Sequence, residues 1–130
     1  MAHVLITNFL TIYIYMKKIL VVNNDLDTMT LLQNWLEKKT YKVKYTGNQE
    51  EVSDIMKEFA PELVIVDVLQ KEVAEQLKTH NDTSSVPVLL MTGYTLRAKN
   101  HLLPVDDVIE KPFNLPLLEE KIEKLITQKL

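Results

Sequence analysis

Apolar runs of strand length alternate with segments of helical period along most of the chain, which predicts a parallel sheet covered by helices. The runs Ile19–Val22 and Leu63–Val66 are apolar at every position, as is typical of central strands buried on both faces. In Tyr41–Tyr45 lysines alternate with apolar residues, which indicates a strand at a sheet edge with one wet face. Two further runs, Val86–Met91 and Val105–Ile109, complete five predicted strands.

The helices are predicted from apolar positions that recur at i, i+3, i+4 and i+7. This period gives a helix over Gln49–Phe59, which Pro61 prevents from continuing. It also places a last helix after Asn114, whose side chain can cap it. The other predicted helices lie at about Asp27–Lys39, around Val73–Leu77 and, with a weaker pattern, at Leu96–Leu102. In the first of them we expect Leu31 and Trp35 to broaden the buried stripe.

Residues 1–16 differ from the rest and are interpreted as an apolar extension, with the folded domain assigned to residues 17–130. The run Val4–Met16 is rich in apolar and β-branched residues. It is shorter than the roughly 20 residues that span a bilayer, and it lacks the basic start and small-residue cleavage site of a secretory signal. We therefore expect no membrane span and no export. An extension without a site is the simpler interpretation, and a strand that pairs with a neighbour is the alternative.

Composition excludes several classes of function. The formal net charge is −3 and the pI is near 5.6, which argues against an electrostatic nucleic-acid binder. The chain has no cysteine, so disulfides and thiolate metal sites are ruled out, and a reducing cytoplasm fits. Gly47 and Gly93 are the two glycines of the chain, and no glycine-rich loop exists to cradle a pyrophosphate.

Polar residues follow the predicted strands at their carboxyl ends, where ligands bind in open parallel sheets. These residues are Asn23–Asp25 after the first strand, Asp67 after the third, Thr92 after the fourth and Lys111 after the fifth. A carboxylate can act as a nucleophile, a hydroxyl can donate to a transferred group, and an ammonium can neutralise its charge. The set therefore suits a phosphoryl group.

Four segments of the chain resemble the receiver domain of two-component response regulators: Lys18–Val22, Val64–Asp67, Leu89–Thr92 and Ile109–Phe113. The resemblance covers about residues 17–130. It implies a flavodoxin-like α/β fold, a three-layer sandwich around a five-stranded parallel sheet in the order 2-1-3-4-5.

The resemblance also implies roles for particular residues. Asp67 would accept a phosphoryl group from a histidine kinase or phosphotransfer protein, Thr92 would follow that group, and Lys111 would pair with it. The bond between Lys111 and Pro112 would be cis. Mg²⁺ would assist the transfer.

The sequence departs from the family where the metal would bind. Receivers usually carry two adjacent acidic residues at the end of the first strand, but here Asn23 and Asn24 stand there. Because Mg²⁺ prefers carboxylate ligands, we expect its affinity to fall by at least about tenfold, with Asn24, Asp25 and Asp67 as a weak ligand set. The two asparagines equally suit a turn that caps the first helix without any metal.

Two other features differ from the family. The segment Val68–Glu72 replaces a longer loop beside Asp67, and Val108 stands where an aromatic residue commonly reports the active state. Tyr94 is the nearest aromatic candidate for a substitute.

These observations predict a stand-alone, degenerate receiver that acts as a protein–protein interaction module in two-component signalling, without enzymatic activity. A phosphorylatable receiver is the first alternative, and a small enzyme or ligand-binding domain of the same fold is the second. We expect output through another protein. A homodimer with a face formed by Val86–Met91, Val108 and the last helix is a further alternative that the sequence does not decide.

Overall fold

Five parallel strands form one sheet in the computed structural model, which describes residues 16–93 and 104–127. The strands are β1 (Lys18–Val22), β2 (Lys42–Thr46), β3 (Leu63–Asp67), β4 (Val88–Thr92) and β5 (Asp107–Glu110). Their order across the sheet is β2-β1-β3-β4-β5. The predicted strand order is therefore confirmed, and the lysine-alternating strand lies at an edge as its pattern indicated.

Helices cover both faces of this sheet. The described helices are α1 (Leu26–Leu36), α2 (Gln49–Phe59), α3 (Lys71–Thr79) and α4 (Leu115–Thr127), with 3₁₀ turns at Glu37–Lys39 and Val68–Gln70. Leu32 of α1 and Ile122 of α4 pack in one core cluster with alternate strand residues. Val52 of α2 and Leu77 of α3 pack in a second cluster with the other strand residues. Because successive strand side chains point to opposite faces, fully apolar strands fill both clusters, which gives the three-layer sandwich.

The predicted helices that fall within the described residues agree closely with the observed ones, with one error in the buried stripe. Helix α2 has the predicted bounds, and Asn114 caps α4 by accepting a hydrogen bond from the amide of Leu117 at 3.0 Å. The prediction that Leu31 is buried in α1 is wrong, because its side chain is 44% exposed. Thr28 is buried instead, since it lies four residues before Leu32 and so shares its face.

The last two strands begin about two residues later than predicted, at Val88 and Asp107. Pro87 precedes the fourth strand and has no amide to donate to a ladder. The carbonyl of Val86 accepts a hydrogen bond from Nζ of Lys78 at 2.9 Å. Apolar character alone extended the predicted strand across these two residues.

Two predictions concern parts of the chain that the structure does not describe. They are the extension, of which residue 16 alone lies in the described part, and the helix at Leu96–Leu102. Within residues 16–93 and 104–127, no helix has both the length and the hydropathy needed to cross a bilayer.

Candidate functional site

Asp67, Thr92 and Lys111 lie at the same edge of the sheet. Asp67 ends β3 and is in register with Met91 of the neighbouring strand, so Thr92 is the next residue along that edge. The amide of Lys111 donates to the carbonyl oxygen of Thr92 at 2.8 Å. The register of parallel strands thus brings together three side chains that are far apart in the sequence.

The carboxylate of Asp67 is buried, and both of its oxygens have partners. The residue is 3% exposed. Its Oδ1 accepts a hydrogen bond from Nζ of Lys111 in an ion pair. Its Oδ2 accepts from the amide of Leu69 at 2.9 Å and so begins the 3₁₀ turn. The Lys111 side chain is 31% exposed, so water reaches the pair from the lysine side.

The hydroxyl of Thr92 bonds to the backbone of the next residue. Thr92 is fully buried, and its Oγ1 donates to the carbonyl oxygen of Gly93 at 2.8 Å. A hydroxyl has one proton to donate, so this bond uses the donor that a phosphoryl group would need. Val108 packs against the α2–α3 core cluster, and Tyr94 lies outside the described residues. The peptide bond between Lys111 and Pro112 is cis, as the resemblance implied.

Asn23 forms a turn at the end of β1. Its amide donates to the carbonyl oxygen of Thr46 at 2.9 Å, and its Oδ1 accepts from the amide of Asp25 at 2.6 Å. The residue is fully buried, yet its Nδ2 has no hydrogen-bond partner. Asn24 is exposed. The turn interpretation is therefore supported for Asn23, but its side chain bonds to the amide of Asp25, the residue before α1, and not to an amide of the helix itself.

Asp25 is the N-cap residue of α1 and is solvent-exposed. Its Oδ2 accepts a hydrogen bond from the hydroxyl of Thr28. This bond lowers the pKa of the Asp25 carboxyl, and the positive charge of Lys111 contributes in the same direction. Asp25 and Asp67 are thus two carboxylates near a single ammonium group.

Two residues of the site were not found from the sequence, Leu69 and Gln70. Leu69 is 79% exposed beside the carboxylate of Asp67, while Gln70 is only 4% exposed. Nε2 of Gln70 donates to the carbonyl oxygen of Gly47 at 3.0 Å. No periodic pattern marks these residues, because they lie in a short 3₁₀ turn that has neither a strand nor an α-helix period. The altered length of Val68–Glu72 was the available signal.

Comparison with known proteins gives one family. A sequence model for the family described as "Response regulator receiver domain" matches residues 19–123. The polar-differentiation response regulator DivK of Brucella anthropi is 23% identical over 118 residues, which cover 85% of this chain and 96% of that protein. The transcriptional regulatory protein CpxR of Escherichia coli is 28% identical over 116 residues, which cover 85% of this chain and 50% of that protein. The chain thus spans about half the length of several curated relatives.

Solved structures agree with the fold. The signal receiver domain of a histidine kinase from Syntrophus aciditrophicus superposes with a TM-score of 0.78 at 25% identity, over 86% of this chain and 91% of that one. The chemotaxis response regulator CheY4 of Vibrio cholerae gives a TM-score of 0.75 at 19% identity, over 85% and 98% of the two chains. These similarities confirm the flavodoxin-like fold that the sequence predicted.

Proposed function

Because the chain belongs to the response regulator receiver domain family of two-component signal transduction, we propose that it acts as a degenerate receiver. In this role it binds a histidine kinase, a phosphotransfer protein or a downstream protein in the cytoplasm. Binding does not depend on Mg²⁺-assisted phosphorylation of Asp67, and no enzymatic step is involved.

The observation that carries this proposal is the donor set at the end of β1. A Mg²⁺ site needs oxygen ligands in near-octahedral geometry, usually including one or two carboxylates. Oδ1 of Asn23 is already bonded to the amide of Asp25, which leaves the Nδ2 amino group as the unpaired end of a buried side chain. Among the residues that the structure describes, no three His, Cys, Asp or Glu side chains are grouped as metal ligands are. Asn23 therefore offers Mg²⁺ no free oxygen, and Asp25 and Asp67 are the carboxylates that remain as a weak ligand set.

Electrostatics set the size of the effect. Two unit charges about 4 Å apart interact by roughly 4 kcal/mol at an effective dielectric near 20, and each asparagine removes one such attraction between the ion and a carboxylate. Desolvation cancels much of this energy. A remainder of about 1.4 kcal/mol still weakens binding tenfold, so at least this loss of Mg²⁺ affinity is part of the proposal.

Phosphorylation of Asp67 is the second candidate function, and the Asp67–Lys111 pair favours it. In that reaction a carboxylate oxygen of Asp67 attacks the phosphorus, the bond to the donor breaks, and the Lys111 ammonium neutralises the new charge. Each oxygen of Asp67 accepts one hydrogen bond, from Lys111 or from the amide of Leu69, and keeps a second lone pair for the attack.

Intact-mass spectrometry distinguishes the two candidates. The full chain and its Asp67→Asn variant are incubated with acetyl phosphate and Mg²⁺, with a phosphorylatable receiver treated in parallel as the positive control. We expect a phosphate adduct on the control receiver and none on this chain. An adduct on the wild type that disappears in Asp67→Asn would refute the proposal in favour of the phosphorylatable receiver.

Two exposed leucines beside the site supply an apolar surface for a partner. Leu26 is 76% exposed just after the end of β1, and Leu69 is 79% exposed just after the end of β3. Removal of such apolar surface from water is the main driving force of protein association. The variants Leu26→Ala and Leu69→Ala should therefore weaken capture of the native partner without loss of stability. Leu31→Ala, which changes another exposed leucine of α1, is the matched control.

A homodimer is an alternative use of the chain's surface, although the face expected at Val86–Met91 is wrong for Val88–Met91, which are fully buried. Sedimentation of the purified protein over a range of concentrations tests it. Dimers whose fraction rises with protein concentration would support self-association as the function of this surface.

A further inference from the structure

The side chain of Gln70 crosses the carboxyl edge of the sheet from β3 toward β2. The turn at Val68–Gln70 follows β3 directly, and the amide of Leu69 in this turn donates to the Asp67 carboxylate. From this turn Nε2 of Gln70 reaches the carbonyl oxygen of Gly47 at 3.0 Å, and Gly47 is the residue after β2. At 4% exposure, the long polar side chain is covered along its length.

The end of β1 lies beneath this connection, because β1 is the strand between β2 and β3. Gly47 is packed tightly against that end. A Cβ atom added to Gly47 would lie 3.0 Å from Cβ of Asn24 and 3.3 Å from the carbonyl oxygen of Asn23. The Gln70 amide is therefore anchored to a backbone segment in direct contact with both asparagines, the residues that stand at the family's metal position.

Two buried polar atoms without partners lie at this edge. They are Nδ2 of Asn23 and Oε1 of Gln70, a donor and an acceptor. A cation attracts oxygen ligands and repels an amino group, so the orientation of Asn23 is unfavourable for a metal. Its orientation is fixed by the 2.6 Å bond between its Oδ1 and the amide of Asp25. At Asn23 the edge therefore presents an N–H donor, the wrong polarity for a cation, while the unpaired atom of Gln70 is an oxygen.

We propose that Gln70 is a positioning residue that closes the metal position and links the ends of β3 and β2 across β1 in place of a cation. This inference rests on the proposed metal-independent receiver. It adds a second cause for the weak metal binding, which lies after β3 and not at the end of β1. Its consequence is specific: acidic residues restored at Asn23 and Asn24 do not by themselves recover metal binding, because Gln70 still covers the site.

Paramagnetic broadening by Mn²⁺ in ¹H–¹⁵N NMR spectra tests this consequence without any assay of activity. The variants are Asn23→Asp/Asn24→Asp, the same pair with Gln70→Ala, and the same pair with Gln76→Ala as a matched control. Gln76 is an exposed glutamine of α3. We expect broadening of the backbone amides at position 24 and at Leu69 at a Mn²⁺ concentration at least about tenfold lower in the triple variant with Gln70→Ala than in the other two.

Two results would overturn the inference. One is tight Mn²⁺ binding by the double variant, and the other is equal Mn²⁺ affinity in the double variant and in the triple variant with Gln70→Ala. Neither result would touch the proposed function, which concerns the wild-type residues and depends on the mass measurement. If Gln70→Ala unfolds the triple variant, as judged by circular dichroism, Gln70→Asn replaces it, because asparagine is one methylene too short to reach Gly47.

Discussion

The ion pair between Asp67 and Lys111 offers the sharpest test of the geometry of the site. The change is Lys111→Met, which keeps a long unbranched side chain and removes the ammonium group. The Asp67 carboxylate, whose side chain is 4% exposed, would then be left buried with the amide of Leu69 as a hydrogen-bond partner. We expect a loss of folding stability, because a buried charge without its counterion is costly.

The expected size follows from burial. Removal of one partner from a fully buried pair costs about 3–5 kcal/mol, whereas exposed pairs contribute about 0–1 kcal/mol. Since the Lys111 side chain is 31% exposed, water partly replaces it, and we expect a loss of about 2 kcal/mol. At about 4 °C per kcal/mol for a domain of this size, Tm should fall by about 8 °C.

Urea denaturation followed by circular dichroism measures the change in free energy of unfolding. The control is Lys17→Met, which breaks the exposed pair between Lys17 and Glu62 and should cost less than about 1 kcal/mol. The double variant Asp67→Asn/Lys111→Met removes the stranded charge and keeps an oxygen for the amide of Leu69. It should be about 1 kcal/mol more stable than Lys111→Met alone.

Two outcomes would refute the reasoning. The first is a loss in Lys111→Met no larger than that in Lys17→Met, which would mean that Asp67 does not depend on the ammonium. The second is strict additivity of the two single changes at Asp67 and Lys111, because side chains in contact should couple.

Three further predictions concern the scaffold. Burial raises the pKa of Tyr45 to about 12 from its usual value of 10.0, so the folded state favours the neutral phenol. The free energy of unfolding, measured by denaturant titration, should be constant below pH 10 and fall between pH 10 and 12. This fall should be smaller in Tyr45→Phe. Leu32 is fully buried, and Leu32→Ala should lower the free energy of unfolding by about 3 kcal/mol in urea melts. Asn48 accepts a hydrogen bond from the amide of Glu50 at 2.9 Å as the cap of α2, so Asn48→Ala should cost about 1 kcal/mol in the same melts.

Each of these has its own control. Tyr45→Phe should be neutral or stabilising at pH 7, since the phenol oxygen is buried without a partner; a clear loss there would contradict the assignment. Leu31→Ala removes a leucine of the same helix that is 44% exposed, and an equal loss in both leucine variants would show that burial is not the cause. Asn34→Ala changes an exposed asparagine within α1 and should leave the free energy of unfolding nearly unchanged.

Much of the fold could be predicted because it depends on local patterns. Fully apolar runs such as Leu63–Val66 identify central strands, and the spacing within Gln49–Phe59 identifies a helix with its bounds. The strand order came from the family resemblance, since no local pattern states which strands are neighbours. The error at Leu31 shows the limit of composition, because an apolar residue one position from the stripe is turned toward solvent.

The site was predicted in part for the same reason. Asp67, Thr92 and Lys111 were found because each follows a strand, and parallel strands bring their carboxyl ends to one edge. Gln70 was missed because its importance depends on a contact with Gly47, 23 residues away in the chain. Neither hydrophobic periodicity nor local composition predicts such a contact.

The sequence by itself determined which residues form strands and helices and which polar residues meet at one edge, because hydrophobic burial with periods of 2 and 3.6 residues sets both. With the family resemblance, it also predicted that Asn23 and Asn24 stand where other receivers carry an acidic pair. The tertiary structure alone decided how the polar side chains at that edge pair: Asp67 with Lys111 and the amide of Leu69, the Thr92 hydroxyl with Gly93, and Gln70 with Gly47. Hydrogen bonds require distances near 3 Å; only the folded backbone brings Lys111 that close to Asp67 and Gln70 that close to Gly47, and it also sets which local partner the other side chains take.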